Sequence, residues 1–322
     1  MLSVLWILSL FSSLFAMNAS AAPAAAARLD ADKACTVCHN ETWKYPVLTI
    51  YQTPHGVRGD TRTPLCQTCH GESHKHLTDP MTPPDVVFGD RETTKGIKQR
   101  QMIFSPSEAR AQNKQCMSCH EDGLRTHWEG SQHQIKDLAC VSCHSVHQKK
   151  DPIMVRATQK EVCFNCHKEQ RADSHKISGH PLDAGKITCS DCHNPHGSSA
   201  PKLLNKNTVN ETCWQCHADK RGPFLWEHQP VSENCTNCHT PHGSNISPLL
   251  KDRAPFLCED CHNGPHQSNS PIGPGGNATT VTIGGVPRTV NTIQGNATGR
   301  ACMNCHVMVH GSNSPAGAYL HR

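Results

Sequence analysis

Thr188-Cys189-Ser190-Asp191-Cys192-His193-Asn194-Pro195-His196-Gly197 decides how the chain is read. Two thiols stand three residues apart, an imidazole follows the second directly, and another imidazole comes three residues later. Working outward, the 322-residue chain carries ten copies of this C-x-x-C-H pattern. Their cysteines are Cys35 and Cys38, Cys66 and Cys69, Cys116 and Cys119, Cys140 and Cys143, Cys163 and Cys166, Cys189 and Cys192, Cys213 and Cys216, Cys235 and Cys238, Cys258 and Cys261, Cys302 and Cys305. The histidines that close the copies are His39, His70, His120, His144, His167, His193, His217, His239, His262 and His306.

This is the attachment motif of c-type haem. Two thiols add across the two vinyl groups on one porphyrin edge, and the adjacent His turns back to the iron as its proximal ligand. The motif uses all 20 cysteines, so none is left for a disulfide. An exported disulfide scaffold or a set of four-cysteine zinc sites has no need of a His after every second Cys. Chance would place one after all ten with odds on the order of 10⁻¹¹. A thioredoxin-type C-x-x-C would need a βαβ context, which the sequence lacks. The expected cofactor is ten covalently bound haem c.

Composition agrees. Hydrophobic residues are 36% of the chain and aromatics 5%, whereas a soluble domain is about 45–50% apolar. Twenty Cys and 24 His stand where Leu, Ile and Phe would be. The macrocycles must therefore supply the interior, and the fold should collapse without them. The expected fold is a multihaem cytochrome c: mostly short α-helices and loops wrapped around a haem chain, with little or no β. Lys and Arg total 31 against 27 Asp and Glu, for a net charge of +4 with no basic block, which disfavours nucleic acid as a partner.

Fourteen histidines lie outside the motifs, and the internal repeat sorts them. One His falls seven to nine residues before a motif and another three residues after its proximal His, in copies that start 47 and 50 residues apart. This selects His133, His147, His180, His196, His228 and His242, and the varied end copies add His55, His76, His266 and His310. His76 is preferred to His74, while His127, His175 and His321 fall outside the slots. Ten distal candidates then match ten irons. No Met recurs at a fixed slot, so bis-His ligation is expected throughout. A His three residues past its own proximal ligand is badly placed for the far face of that haem. His147, His196 and His242 should therefore ligate other haems and staple the array.

Leu2 to Met17 is an apolar run followed by Ala19-Ser20-Ala21, which reads as a secretory signal peptide over residues 1–21. The run is shorter than the roughly 20 residues of a spanning helix. No later stretch approaches one, so no transmembrane span of its own is expected. Haem attachment outside the cytoplasm fits export.

With these residues in view, the chain resembles the periplasmic decahaem cytochromes of bacterial outer-membrane porin–cytochrome conduits, the Mtr/Mto/Pio type. That group shares a subfamily with decahaem carriers of dimethyl sulfoxide respiration. The likeness is densest over residues 188–197. It continues through Lys220-Arg221-Gly222-Pro223, Leu225-Trp226-Glu227-His228, Glu233-Asn234-Cys235, Arg253-Ala254-Pro255 and Val309-His310-Gly311-Ser312-Asn313. Two departures stand out: a short region before Cys35, and a Gly/Asn/Thr-rich low-complexity loop over 267–300.

The resemblance implies two pentahaem halves forming an elongated wire, 22–175 with haems 1–5 and 176–322 with haems 6–10. It implies an electron-transfer protein rather than an enzyme, in the periplasm and associated with the outer membrane. The implied partners are an outer-membrane β-barrel porin, an outer-surface multihaem cytochrome, and a periplasmic or inner-membrane cytochrome as electron donor or acceptor. The implied role is extracellular metal reduction or iron oxidation. A free periplasmic carrier to a terminal reductase such as dimethyl sulfoxide reductase is the alternative. A multihaem nitrite or hydroxylamine enzyme is disfavoured, because the chain has no C-x-x-C-K site and its spare His outnumber the irons that need them.

Overall fold

The structure, a computed structural model, describes residues 31–42, 46–57, 60–88, 91–92, 98–99, 106–262, 278–283, 286–291, 302–315 and 317–320. The leader expected over 1–21, His266 and His321 lie outside the described residues.

The chain is helix and loop. Its longest described helix, Pro106–Met117, has 12 residues. The attachment motifs occupy two alternating settings. Cys116, Cys163, Cys213 and Cys258 sit toward the C-terminal ends of the helices Pro106–Met117, Arg156–Phe164, Val209–Trp214 and Phe256–Glu259. The motifs that begin at Cys66, Cys140, Cys189, Cys235 and Cys302 instead form single turns, Cys66–His70, Cys140–Ser142, Cys189–Cys192, Cys235–Asn237 and Cys302–Asn304. In both settings the motif closes one helical turn: the His193 N–H donates to Cys189 O at 2.9 Å, as His144 does to Cys140 and His217 to Cys213. A turn of this pitch brings positions i, i+3 and i+4 to one face, so both thiols and the imidazole of each motif present together.

Buried polar side chains tie successive motifs. Asp32 Oδ1 accepts from the Cys66 N–H at 3.0 Å, Asn113 Oδ1 from Cys140 at 2.8 Å, and Asn210 Oδ1 from Cys235 at 2.7 Å. Each acceptor lies three residues before the first Cys of one motif and caps the first Cys of the next. Asn113 and Asn210 also donate to Leu138 O and Val231 O. Losing such a partner leaves a buried N–H unsatisfied, at a cost of about 1–3 kcal/mol.

Strand is confined, among the described residues, to two antiparallel pairs, 91–92 with 98–99 and 278–283 with 286–291. The second falls in the segment expected to be a loop over 267–300. Ala278-Thr279-Thr280-Val281-Thr282-Ile283 is rich in β-branched residues. The Ile283–Val286 register leaves only Gly284 and Gly285 between the strands, a composition suited to a two-residue hairpin connection.

Five apolar side chains are buried among the described residues: Ala109, Trp128, Ala139, Val162 and Phe164. That is too few to hold a chain of this length together. The backbone divides into two compact units, 1–163 with 195–197, and 164–194 with 198–322.

Candidate functional site

The structure sets eight of the ten motif histidines opposite another imidazole. In the first unit His39 meets His76 at a ring-centre separation of 6.0 Å, His120 meets His55 at 5.8 Å, His70 meets His147 at 6.4 Å, and His144 meets His196 at 6.1 Å. In the second unit His217 meets His180 at 6.4 Å, His193 meets His242 at 6.1 Å, His262 meets His228 at 6.0 Å, and His239 meets His310 at 6.1 Å. Every one of these partners is a distal candidate.

The gap fits one six-coordinate iron. A metal–imidazole bond of about 2.0–2.1 Å plus about 1.2 Å from nitrogen to ring centre, counted on both sides, gives roughly 6.5 Å. The residues present therefore suit a haem clasped between two histidines. Among the described residues, no group of three or more His, Cys, Asp or Glu is arranged to hold a metal by side chains alone. None of the 20 cysteines is in a disulfide.

The pairs cross between segments. His147, His196 and His242 each face a motif histidine other than the neighbour three residues upstream. His196, beside His193, faces His144, and His242, beside His239, faces His193. His76 rather than His74 faces His39; His74 is 81% exposed, near Glu72.

Hydrogen bonds orient the rings. Nδ1–H donates to a backbone carbonyl in His70 (Val86, 3.0 Å), His76 (Thr82, 2.7 Å), His147 (Val47, 3.1 Å), His193 (Lys202, 2.8 Å) and His239 (Pro248, 2.9 Å). His306 does the same with Tyr319 at 2.6 Å. A proton held on Nδ1 leaves the Nε2 lone pair for metal.

Three such bonds join two candidate ligands. His133 donates to the carbonyl of Pro195, His180 to that of Pro241, and His228 to that of Val309. Each acceptor immediately precedes a distal candidate: His196, His242 or His310. The glycine after each of these distal residues has positive φ, +117° at Gly197, +149° at Gly243 and +126° at Gly311. A Cβ there would overlap the carbonyl oxygen of His127 at Gly197, that of Asp173 at Gly243, and the Phe224 ring at Gly311.

Burial, followed by the facing imidazole, holds His39, His55 and His242 below the ordinary histidine range, and His196 at about 4. Burial likewise lowers His70 and His310. Charging a desolvated imidazole is unfavourable, so these rings stay neutral at pH 7 and keep a lone pair to donate.

Sequence reasoning missed the capping acceptors Asp32, Asn113 and Asn210, although an Asp or Asn three residues before a motif was visible. It also missed Asp151, whose carboxylate accepts from His144 Nδ1 at 2.7 Å.

Comparison with known proteins places these motifs in a family. Residues 180–222 and 228–270 match the doubled CXXCH motif family, and 66–157 match the cytochrome c-type protein NrfB-like family. The chain is 45% identical to the multiheme cytochrome MtrA of Shewanella baltica over 89% of its own length and 80% of that protein's. It is 30% identical to the cytochrome c-type protein NrfB of Haemophilus influenzae over 36% of this chain and 52% of that protein. For the Escherichia coli NrfB the figures are 28%, 44% and 68%. Ten attachment motifs, histidines facing across iron-sized gaps and a likeness running nearly end to end together make the chain a multihaem c-type cytochrome of the MtrA family.

Proposed function

We propose that the chain holds ten haems, each between a motif histidine and one of the ten distal candidates, in pentahaem halves 22–175 and 176–322. In this reading it passes electrons between the periplasm and the outer surface from inside an outer-membrane β-barrel porin. A periplasmic or inner-membrane cytochrome serves one end and an outer-surface multihaem cytochrome the other. Haem supplies a one-electron ferric–ferrous couple.

The observation that carries the proposal is the closure of the sites. At the eight sites where a second imidazole faces the motif histidine, a bound iron would keep no open position for substrate, and the chemistry left there is outer-sphere electron transfer. His76, His147, His196 and their equivalents close the second face. The carbonyls and Asp151 hold the rings in place, and the polypeptide sets the spacing. Among the described residues no helix is long and apolar enough to cross a membrane. A closed barrel wall facing lipid would supply the crossing.

The ferric protein is expected to be wholly low-spin, with two classes of EPR signal. Facing rings are near parallel in His144–His196 (9°) and His239–His310 (10°), and strongly crossed in His70–His147 (59°) and His55–His120 (68°). Parallel ligand planes give rhombic signals and crossed planes give a single large g value. A substantial high-spin ferric population would reopen the enzyme reading.

The conduit itself is tested in liposomes loaded with reduced dye, with an external ferric acceptor that cannot pass lipid. Fast dye oxidation should need both cytochrome and barrel, and should fail with His228→Ala, which opens one site in the chain. Recovery of all the cytochrome as free periplasmic monomer, never with a barrel, would favour the carrier reading.

A further inference from the structure

The motif histidines of the single-turn copies form a natural comparison set. His70, His193, His239 and His306 donate Nδ1–H to backbone carbonyls, of Val86, Lys202, Pro248 and Tyr319. The fifth member, His144, donates to a carboxylate, Asp151 Oδ2, at 2.7 Å. The bond is held in place. Asp151 Oδ1 accepts from the Ser145 N–H at 3.2 Å and the Ile153 N–H at 3.4 Å, which anchors the carboxylate as the cap of the turn Pro152–Met154. The side chains of His144 and Asp151 are 31% and 19% exposed, so water screens the pair poorly.

A carbonyl offers a partial charge and a carboxylate a full one. The full charge pulls the Nδ1 proton, makes the ring a more anionic and more basic ligand, and stabilises ferric over ferrous iron. On the opposite ring, His196 feels the cation Arg125. That guanidinium is itself paired with Asp122 at 3.2 Å, so it offsets Asp151 only in part.

We propose that Asp151 is a positioning residue that lowers the potential of the haem between His144 and His196 below that of the equivalent haems held by His193 and His239. This rests on the bis-histidine reading above. The centre at the fourth motif along the chain then carries a built-in step in potential. It then fills after the haems held by His193 and His239 when the chain is reduced.

The test is an EPR-monitored redox titration of the holoprotein with Asp151→Asn, which keeps an acceptor for Nδ1–H and removes the charge. One haem equivalent, in the rhombic class set by the 9° ring pair, should move to higher potential, with haem content and the low-spin spectrum unchanged. Glu129→Gln, which removes an exposed carboxylate in the same unit, should leave that component where it is. A second readout needs no variant to fold. In the unmodified ferric protein, one component of the near-infrared charge-transfer band should lie at shorter wavelength than the rest, as a more anionic ligand requires.

An Asp151→Asn titration that superimposes on the parent overturns the proposal. So does an equal shift from Glu129→Gln, or a band with no displaced component. High-spin iron in the unmodified protein would instead count against the bis-histidine reading, independently of Asp151.

Discussion

Without haem the chain is expected to lose its structure altogether, secondary structure included. Trp128, Val162 and Phe164 are the large apolar side chains buried among the described residues. At about 1.5–3 kcal/mol each they contribute less than about 10 kcal/mol. Ordering the backbone costs about 1–2 kcal/mol for every residue. The helices cannot stand alone either, since the longest described has 12 residues and isolated helices of that length are marginal in water. The measurement is circular dichroism and limited proteolysis of chain made without haem attachment, or with the first Cys of every motif changed to Ala. The expected result is a coil-like spectrum, no cooperative melt and rapid digestion. A native-like helical spectrum with a sharp melt would show that the polypeptide has a core of its own.

The second large effect is expected from a single methyl group. Gly243 holds φ at +149°, and a Cβ there would overlap the carbonyl oxygen of Asp173. Backbone strain of this kind costs about 1–3 kcal/mol, and the overlap adds to it because a main-chain carbonyl cannot swing aside. The backbone must therefore retreat and carry His242 with it, away from His193. Gly243→Ala should destabilise the holoprotein by more than about 3 kcal/mol and turn one haem equivalent high-spin. Gly185→Ala is the control. Gly185 also has positive φ, +64°, but a Cβ there meets nothing within 4 Å, so the cost should stay near 1–2 kcal/mol with every haem low-spin. Thermal melts and EPR of the two variants decide the matter. Equal, small effects would mean that the close approach to Asp173 does not hold the distal ligand.

The two predictions rest on features that the sequence disclosed unequally. The motif cysteines and their histidines were plain, because covalent attachment demands a fixed spacing. The distal residues showed through repetition, which raised His133, His180 and His228 above isolated surface histidines. Which ring faces which was not legible. His196 meets His144 across 52 positions while His180 meets His217 across 37 in the other direction, and spacing along the chain carries no sign of that choice. The Nδ1 acceptors are mostly backbone carbonyls, which every residue has, so Val86 or Lys202 could not announce a role. Asp151 was one acid among 27. The strands at 278–283 and 286–291 were hidden by the Gly- and Asn-rich composition around them, although their β-branched residues were present.

The crossing of the ring pairs has a consequence for how such a chain is made and cut. The facing pairs span 39–76, 55–120, 70–147, 144–196, 180–217, 193–242, 228–262 and 239–310, each span overlapping the next. A cut anywhere between His39 and His310 leaves the two members of at least one pair on different pieces. A truncated product would always carry at least one iron with a bare face, open to oxygen or nitric oxide, and would be a reactive species rather than a shorter conductor. If the chain is exported as proposed, the same holds for a time: His144 emerges 52 residues ahead of His196, so the unfinished chain would pass through states with exposed metal until its last segment arrives.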